Sequence, residues 1–267
     1  MQNSTALPAV ESALYPPGIP KMRTVGCILA TLWYDDSKKG GNAMAKRIKL
    51  CDRLLPDYTR GEEIMNMVTH IAGGGLGILI LAVCLVKAIL ARSVLGIVGA
   101  AIFGGTMIVL YTMSSVYHGL LPGTGKKVMQ IIDHCTIYFL ICGTYTPIML
   151  SGFVPVYPLL GWGLLGLEWA LAILAATLTA IDLKKYNAFS MICYILMGWG
   201  IIFFLPQAIE IMTRPGFMLL LSGGIAYTVG AVLYGIGSKQ RWFHSVFHIF
   251  VVLGSVLQAL AIILYVL

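Results

Sequence analysis

The sequence predicts an all-α integral membrane protein, a seven-transmembrane-helix bundle with its N-terminus cytoplasmic and its C-terminus outside. Three observations predict it. The 267-residue chain is 58% hydrophobic and 11% charged, which is more apolar surface than a soluble domain of that length can hide in one core. The apolar residues fall into continuous runs of about the 20 residues a helix needs to cross a bilayer, unlike the short alternating segments of a β-barrel. Lysine and arginine alternate between the connections.

The elements follow in order. Residues 1–60 form a basic tail containing Pro8, Pro16, Pro17, Pro20, Gly40 and Gly41, a composition that predicts a disordered or loosely attached segment. Its one apolar run, Val25 to Tyr34, is too short to span, and Met1 to Val10 lacks the basic start, apolar core and small-residue cleavage site of a signal peptide. Met44 opens a compact basic stretch leading directly into the first span and is a second candidate start. The domain of residues 61–267 then carries seven spans: Ile64 to Leu90, Val94 to Leu120, Val128 to Leu150, Tyr157 to Ile181, Phe189 to Ile211, Phe217 to Ile236, and Trp242 to Leu267. Gly73-Gly74 and Gly223-Gly224 fit close helix contact in lipid.

Charge sets the orientation. The tail carries nine basic residues from Lys21 to Arg60, and the second, fourth and sixth connections carry Lys126 and Lys127, Lys184 and Lys185, and Lys239 and Arg241. The first and fifth carry only Arg92 and Arg214, and the third carries none. Cytoplasmic loops collect Lys and Arg, so an odd number of crossings from a cytoplasmic N-terminus follows. The net charge of +7 is explained by that pattern. The partners it predicts are membrane lipids, with anionic inner-leaflet lipids near the basic tail and loops, and no nucleic acid. The expected location is a cell membrane, with multiple crossings. The six cysteines include no Cys-x-x-Cys pair and read as small apolar residues.

Polar residues stand out against this background. Glu62, Glu63, Asn66 and His70 open the first span, Ser114 and His118 close the second, Asp133 and His134 open the third, and His244 and His248 open the seventh. All five histidines therefore fall on the face that the Lys and Arg pattern makes cytoplasmic. Ionisable groups at membrane depth are costly and face the bundle interior or a cavity. His244 and His248, at i and i+4, stand on one helix face about 5–6 Å apart at Cβ and can share one metal ion. Ser114 and His118 have the same spacing. Three imidazoles with an open water position make a catalytic type of zinc site, so His118, His244 and His248 are the candidate ligands and Zn²⁺ the candidate cofactor. Asp133, at a helix N-terminus that favours a carboxylate, is the candidate base, and Ser114 is placed to orient the carboxylate or the water. Each element alone has a blander reading: an interfacial histidine pair, a serine bonded back to its own helix, an N-terminal charge. Glu62, Asn66 and His70 lie at i, i+4 and i+8 and are expected to support the site. His134 points away from Asp133 around the helix and reads as packing. Glu168, midway along the fourth span, reads either as part of a proton path or as a neutral, hydrogen-bonded acid. Bis-histidine haem is disfavoured because His244 and His248 share one face.

The residues Ser114-Ser-Val-Tyr-His118, Asp133-His134 and His244-Ser-Val-Phe-His248 resemble the Ser-x-x-x-His, Asp and His-x-x-x-His motifs of the progestin and adipoQ receptor superfamily. Glu62-Glu-x-x-Asn66-x-x-x-His70 and Gly143-Thr-Tyr-Thr-Pro147 resemble its bacterial branch, the hemolysin III family. The resemblance covers Gly61 to Leu267 and implies a seven-helix bundle inverted relative to G-protein-coupled receptors, in the bacterial plasma membrane. It also implies a zinc ion on His118, His244 and His248, with Asp133 holding the bound water and Ser114 nearby. Two functions follow as expectations: a zinc-dependent hydrolase of membrane lipid amides or esters, resembling the ceramidase-type hydrolysis associated with the receptor branch and with the related alkaline ceramidases, or a pore-forming, cytolytic or regulatory membrane protein in which the zinc is structural.

Overall fold

The computed structural model describes residues 50–237 and 240–267. The reading of residues 1–49 as a loose tail, and the Lys239 part of the sixth connection, lie outside the described residues. A short 3-10 turn, Leu50–Asp52, is followed by a helical unit spanning Arg53–Leu267. Its helices are α1 (Arg60–Leu90), α2 (Val94–Gly119), α3 (Thr124–Pro147), α4 (Pro158–Ile181), α5 (Asn187–Trp199), α6 (Leu205–Gly237) and α7 (Phe243–Tyr265), and no strand occurs among the described residues.

Local chemistry sets the helix boundaries. Thr59 starts α1 through a reciprocal capping box: its side chain accepts from the Glu62 N–H, and the Glu62 carboxylate accepts from the Thr59 N–H at 2.8 Å. Ser93 caps α2 by accepting from the Gly96 N–H. Pro147, lacking an N–H, ends the regular ladder of α3, which widens into a π-helical turn over Ile148–Phe153 and a last helical turn, Val154–Val156. Pro158 sits in the first turn of α4, where a missing donor is harmless. A 3-10 stretch, Gly200–Phe204, joins α5 to α6; it falls just ahead of Pro206, whose ring clashes with the turn before it.

Among the described residues, six continuous helical stretches are long and apolar enough to cross a membrane. The sequence offers seven runs, and the difference lies at the fifth and sixth. The residues between Ile211 and Phe217 stay helical apart from one break, so Asn187–Gly237 forms a single 51-residue stretch. The break is Thr213, with φ 62° and ψ 168°, a conformation that is costly for any residue except glycine. The stretch is kinked there. The hydroxyls of Tyr194 and Tyr234, 40 residues apart in that stretch, both bond to His134, a meeting that a straight rod of about 60 Å could not make.

The third stretch occupies the centre: 72% of its apolar window is buried, against 17–44% for the other five. The outer faces are apolar. On α1, Ile64, Val68, Ile71, Ile78, Leu79, Val86 and Ile89 all point outward, as a lipid-facing surface must. Inside, close approach depends on small residues at particular places. A Cβ on Gly73 would stand 2.7 Å from the Tyr111 ring, so α1 and α2 could not close next to the histidines. A Cβ on Gly223 would stand 2.9 Å from the Gly254 carbonyl, where α6 and α7 pack most tightly.

Candidate metal centre

The site lies at the end of the bundle where α1, α3 and α7 begin and α2 ends. His118 lies in the last turn of α2, and His244 and His248 occupy the first two turns of α7. All three are buried, and one ring nitrogen from each lies within 4.8 Å of the others. The Nε2 atoms of His244 and His248 are 3.0 Å apart. Nitrogens sharing one tetrahedral zinc are about 3.3 Å apart, from Zn–N distances near 2.0–2.1 Å.

The remaining nitrogens show how the rings are aimed. The His118 Nδ1–H donates to the Glu63 carboxylate at 2.7 Å, and the Asn66 amide lies 3.4 Å from the same nitrogen. That leaves His118 Nε2 as a buried lone pair with no partner. Ten buried side-chain polar atoms lack a partner among the described residues, and all except Ser151 Oγ and Glu168 Oε2 belong to residues in or beside this cluster. Native proteins tolerate few such atoms. Their concentration around three convergent imidazoles fits a buried cation, and neutral nitrogen donors suit zinc.

Three further contacts hold the ligands. The Glu63 carboxylate also accepts from Lys126 Nζ at 2.8 Å. Lys126, which is 4% exposed, donates as well to the Leu120 and His118 carbonyls at 2.9 and 3.3 Å. All three of its protons are thus used, closing the C-terminus of α2 and tying α1, α2 and α3 together under His118. Glu62 works on α7: it accepts from the Trp242 N–H at 2.6 Å and from Arg241 at 3.3 Å. Trp242 precedes the two ligands of α7 and has φ 68°, so a strained backbone there is held in place by Glu62. Tyr58 stacks on His244, with ring centroids 4.8 Å apart and planes 22° apart. Burial, and then the neighbouring Tyr234, push its hydroxyl well above the usual tyrosine range, so it stays protonated.

Below the histidines a cavity runs into the bundle. Asp133, Ser114, His70, His244 and His248 line its polar end, and Leu110, Ile141, Phe217, Leu220 and Val251 are among its apolar walls. Its lining reaches from Tyr234 to Phe217 on α6, 17 residues and therefore about 25 Å of helix. No residue of α4 lines it.

Comparison with known proteins fits this arrangement. Residues 58–259 match the protein family described as Haemolysin-III related. The chain belongs to the haemolysin III family. It is 36% identical to Hemolysin-3 of Bacillus cereus over 206 residues, covering 77% of this chain and 92% of that protein. It is 35% identical over 212 residues to the Hemolysin-3 homolog of Bacillus subtilis (strain 168), covering 78% and 96%. The human Monocyte to macrophage differentiation factor is 24% identical over 173 residues, 61% of this chain and 68% of that protein, which extends the relation to the progestin and adipoQ receptor superfamily. Membership and six apolar helices make this a multi-pass protein of the cell membrane.

Within this haemolysin III chain, the residues singled out from sequence distribute unevenly. His118, His244 and His248 come together, and Ser114 and Asp133 reach the same cavity. Asn66 and His70 are buried at the cluster, at 0% and 3% exposure. Glu62 is buried too, but its contacts are with the start of α1 and with Trp242 rather than with a histidine. Glu63 is the carboxylate on His118. The missed signal was spacing: Glu63, Asn66 and His70 follow i, i+3, i+7, as regular a helical stripe as the one starting at Glu62. In the sequence Lys126 reads only as connection charge, and Tyr58 and Trp242 carry no signal. His134, read from sequence as packing, lines the same cavity with Nδ1 3.8 Å from the Asp133 carboxylate, donating to the Gln130 carbonyl at 2.8 Å and accepting from Tyr234 at 3.2 Å. Glu168 is buried on α4, away from the site.

Proposed function

We propose that this protein is a zinc-dependent hydrolase acting on the amide or ester bond of a membrane lipid. The observation that carries the reading is the convergence of three buried imidazoles, two of which, His244 and His248, line the polar end of an apolar cavity that Asp133 and Ser114 also line. His118, His244 and His248 would hold the ion through Nε2, the tautomer that the Glu63 contact favours for His118. Zinc at such a site supplies Lewis acidity, acidifying water and polarising a carbonyl.

The residues of the chain do the rest. The apolar walls take the acyl chain and exclude water from it. The Asp133 carboxylate takes the proton of the attacking water and returns it to the leaving amine or alcohol, so that a fatty acid and a head-group fragment are released. Ser114, whose hydroxyl has no other partner, orients the water or the carboxylate. The substrates and partners on this reading are membrane lipids, with anionic inner-leaflet lipids near the basic tail and loops.

The same reading takes the bundle as seven crossings, with the N-terminus and the histidines cytoplasmic and the C-terminus outside. The break at Thr213 supports it, since a 51-residue helical stretch of about 76 Å would exceed a hydrocarbon core of about 30 Å more than twofold. The alternation of Lys and Arg between connections supports the orientation.

Metal analysis and lipid assays on purified protein test the proposal. Wild type is expected to hold one zinc per chain and to release fatty acid from a lipid panel. The double variant His244→Ala, His248→Ala is expected to lose the metal; unchanged stoichiometric zinc would sink the site. Asp133→Ala is expected to keep zinc and lose hydrolysis by at least about a hundredfold, and full activity would remove it as base. The Bacillus cereus relative's name, Hemolysin-3, favours a second reading: a cytolytic pore with structural zinc. Dye leakage from liposomes carrying the pure protein, without fatty acid release, would select that reading.

A further inference from the structure

His70 is the one histidine for which the site as described has no use. Each of the others has a nitrogen engaged: His118 on Glu63, His134 on Gln130 and Tyr234, His244 and His248 on each other. On His70, both Nδ1 and Nε2 are buried without a hydrogen-bond partner. A neutral imidazole carries one N–H donor and one lone pair, and leaving such groups unmade in a buried place is costly. The side chain is 3% exposed and lines the cavity just inside the three ligands.

The ring geometry separates His70 from the metal group. Its centroid lies 3.8 Å from that of His248 with 31° between the planes, and its edge meets Tyr111 at 5.0 Å and 77°. The ring packs against His248 at a tilt, and His70 falls outside the set of three residues whose ring nitrogens converge. The fixed packing on His248 and Tyr111 leaves an immobile polar edge at the boundary between the polar end of the cavity and walls such as Leu110 and Val251. A molecule that meets both needs has an oxygen acceptor at one end and a hydrocarbon tail at the other.

We infer that His70 is the hydrogen-bond donor for the acyl carbonyl oxygen of the substrate, and afterwards for the carboxylate of the released fatty acid. The inference rests on the lipid-hydrolase reading above and adds a residue to it. It makes His70 a substrate-contacting group. Asn66 and Glu63, on the same helix, face His118 instead.

The test is binding, with oleate as the probe and purified, zinc-loaded full-length protein. His70→Leu removes the donor; His70→Gln restores an N–H. The expected result is unchanged zinc stoichiometry in both, oleate affinity ten- to hundredfold weaker in His70→Leu, as for loss of one hydrogen bond to a charged group, and partial recovery in His70→Gln. A hydrocarbon probe of the same chain length without a carboxyl group is expected to bind wild type and variant alike. Should leucine disturb the fold, His70→Phe keeps a flat ring on His248 and removes the nitrogens alone. Equal oleate affinity in wild type and the donor-free variants overturns this inference and leaves the hydrolase reading standing. Loss of zinc in His70→Phe overturns it in favour of a role at the metal. Wild type that holds zinc but takes up no oleate overturns the lipid reading and this inference with it.

Discussion

At the scale of single residues, two neighbouring glutamates do different work. Glu63 fixes the ring of His118, while Glu62 fixes the backbone that delivers His244 and His248. Metal-binding histidines commonly have their second nitrogen held by a carboxylate, and removing it weakens the metal by about 10- to 100-fold. Glu63→Gln is therefore expected to lower zinc affinity by that factor in a chelator competition titration, with little change in the fold. A Glu63→Gln variant that binds zinc as tightly as wild type would leave the 2.7 Å contact without consequence. The polar residues were legible in the sequence because they stood out from an apolar background. Which of them touch could not be read, since Glu62 and Glu63 both open the same helix and only the rotation of α1 against α2 assigns His118 to one of them.

At the scale of elements, the unusual backbone positions lie where the chain turns. Glu62→Ala removes half of the capping box of α1 and the acceptor for the strained Trp242 N–H together. A loss on the order of 2 kcal/mol is expected, seen as a lower thermal midpoint in detergent, along with weaker zinc binding because α7 loses its anchor. A midpoint equal to wild type would show that Trp242 is held by other means. Thr213 offers the opposite case. Its φ of 62° and ψ of 168° suit glycine alone, so Thr213→Gly is expected to stabilise by about 1 kcal/mol, as a rise in the same midpoint. The seven apolar runs correspond to helical segments because length and apolarity dictate helix in lipid. Their separation was less legible between the fifth and sixth, where a short link with Pro215 stays helical on either side of one residue.

At the scale of the whole molecule, a metal held by His118, His244 and His248 would double as a clasp. Its three ligands would come from α2 and α7, which are far apart in sequence, with α1 in contact with both. Zinc that binds only the folded bundle stabilises it by mass action, about 2.7 kcal/mol at a hundred times the dissociation constant. Chelation is thus expected to lower the thermal midpoint of wild type and to leave that of His244→Ala, His248→Ala unchanged. An equal drop in both would place the metal effect elsewhere. Orientation belongs to this scale too. A reporter fused at the C-terminus is expected to be active outside the cell, and a cytoplasmic signal would reverse the bundle.

The sequence by itself determined that the chain lives in a membrane, that its helices fall where the apolar runs fall, and which handful of ionisable residues had to face inward. Hydropathy, the spacing of histidines at i and i+4, and the distribution of Lys and Arg are local properties, and each could be read along the chain. The tertiary structure decided the pairings: Glu63 rather than Glu62 on His118, Lys126 reaching from the first turn of α3 to close α2, Tyr58 laid over His244, and a cavity joining the histidines to the apolar interior. These depend on how each helix is rotated and how closely it approaches its neighbours. Small residues such as Gly73 and Gly223 set that by letting backbones meet, and no property of one helix alone records what its neighbour will place opposite it.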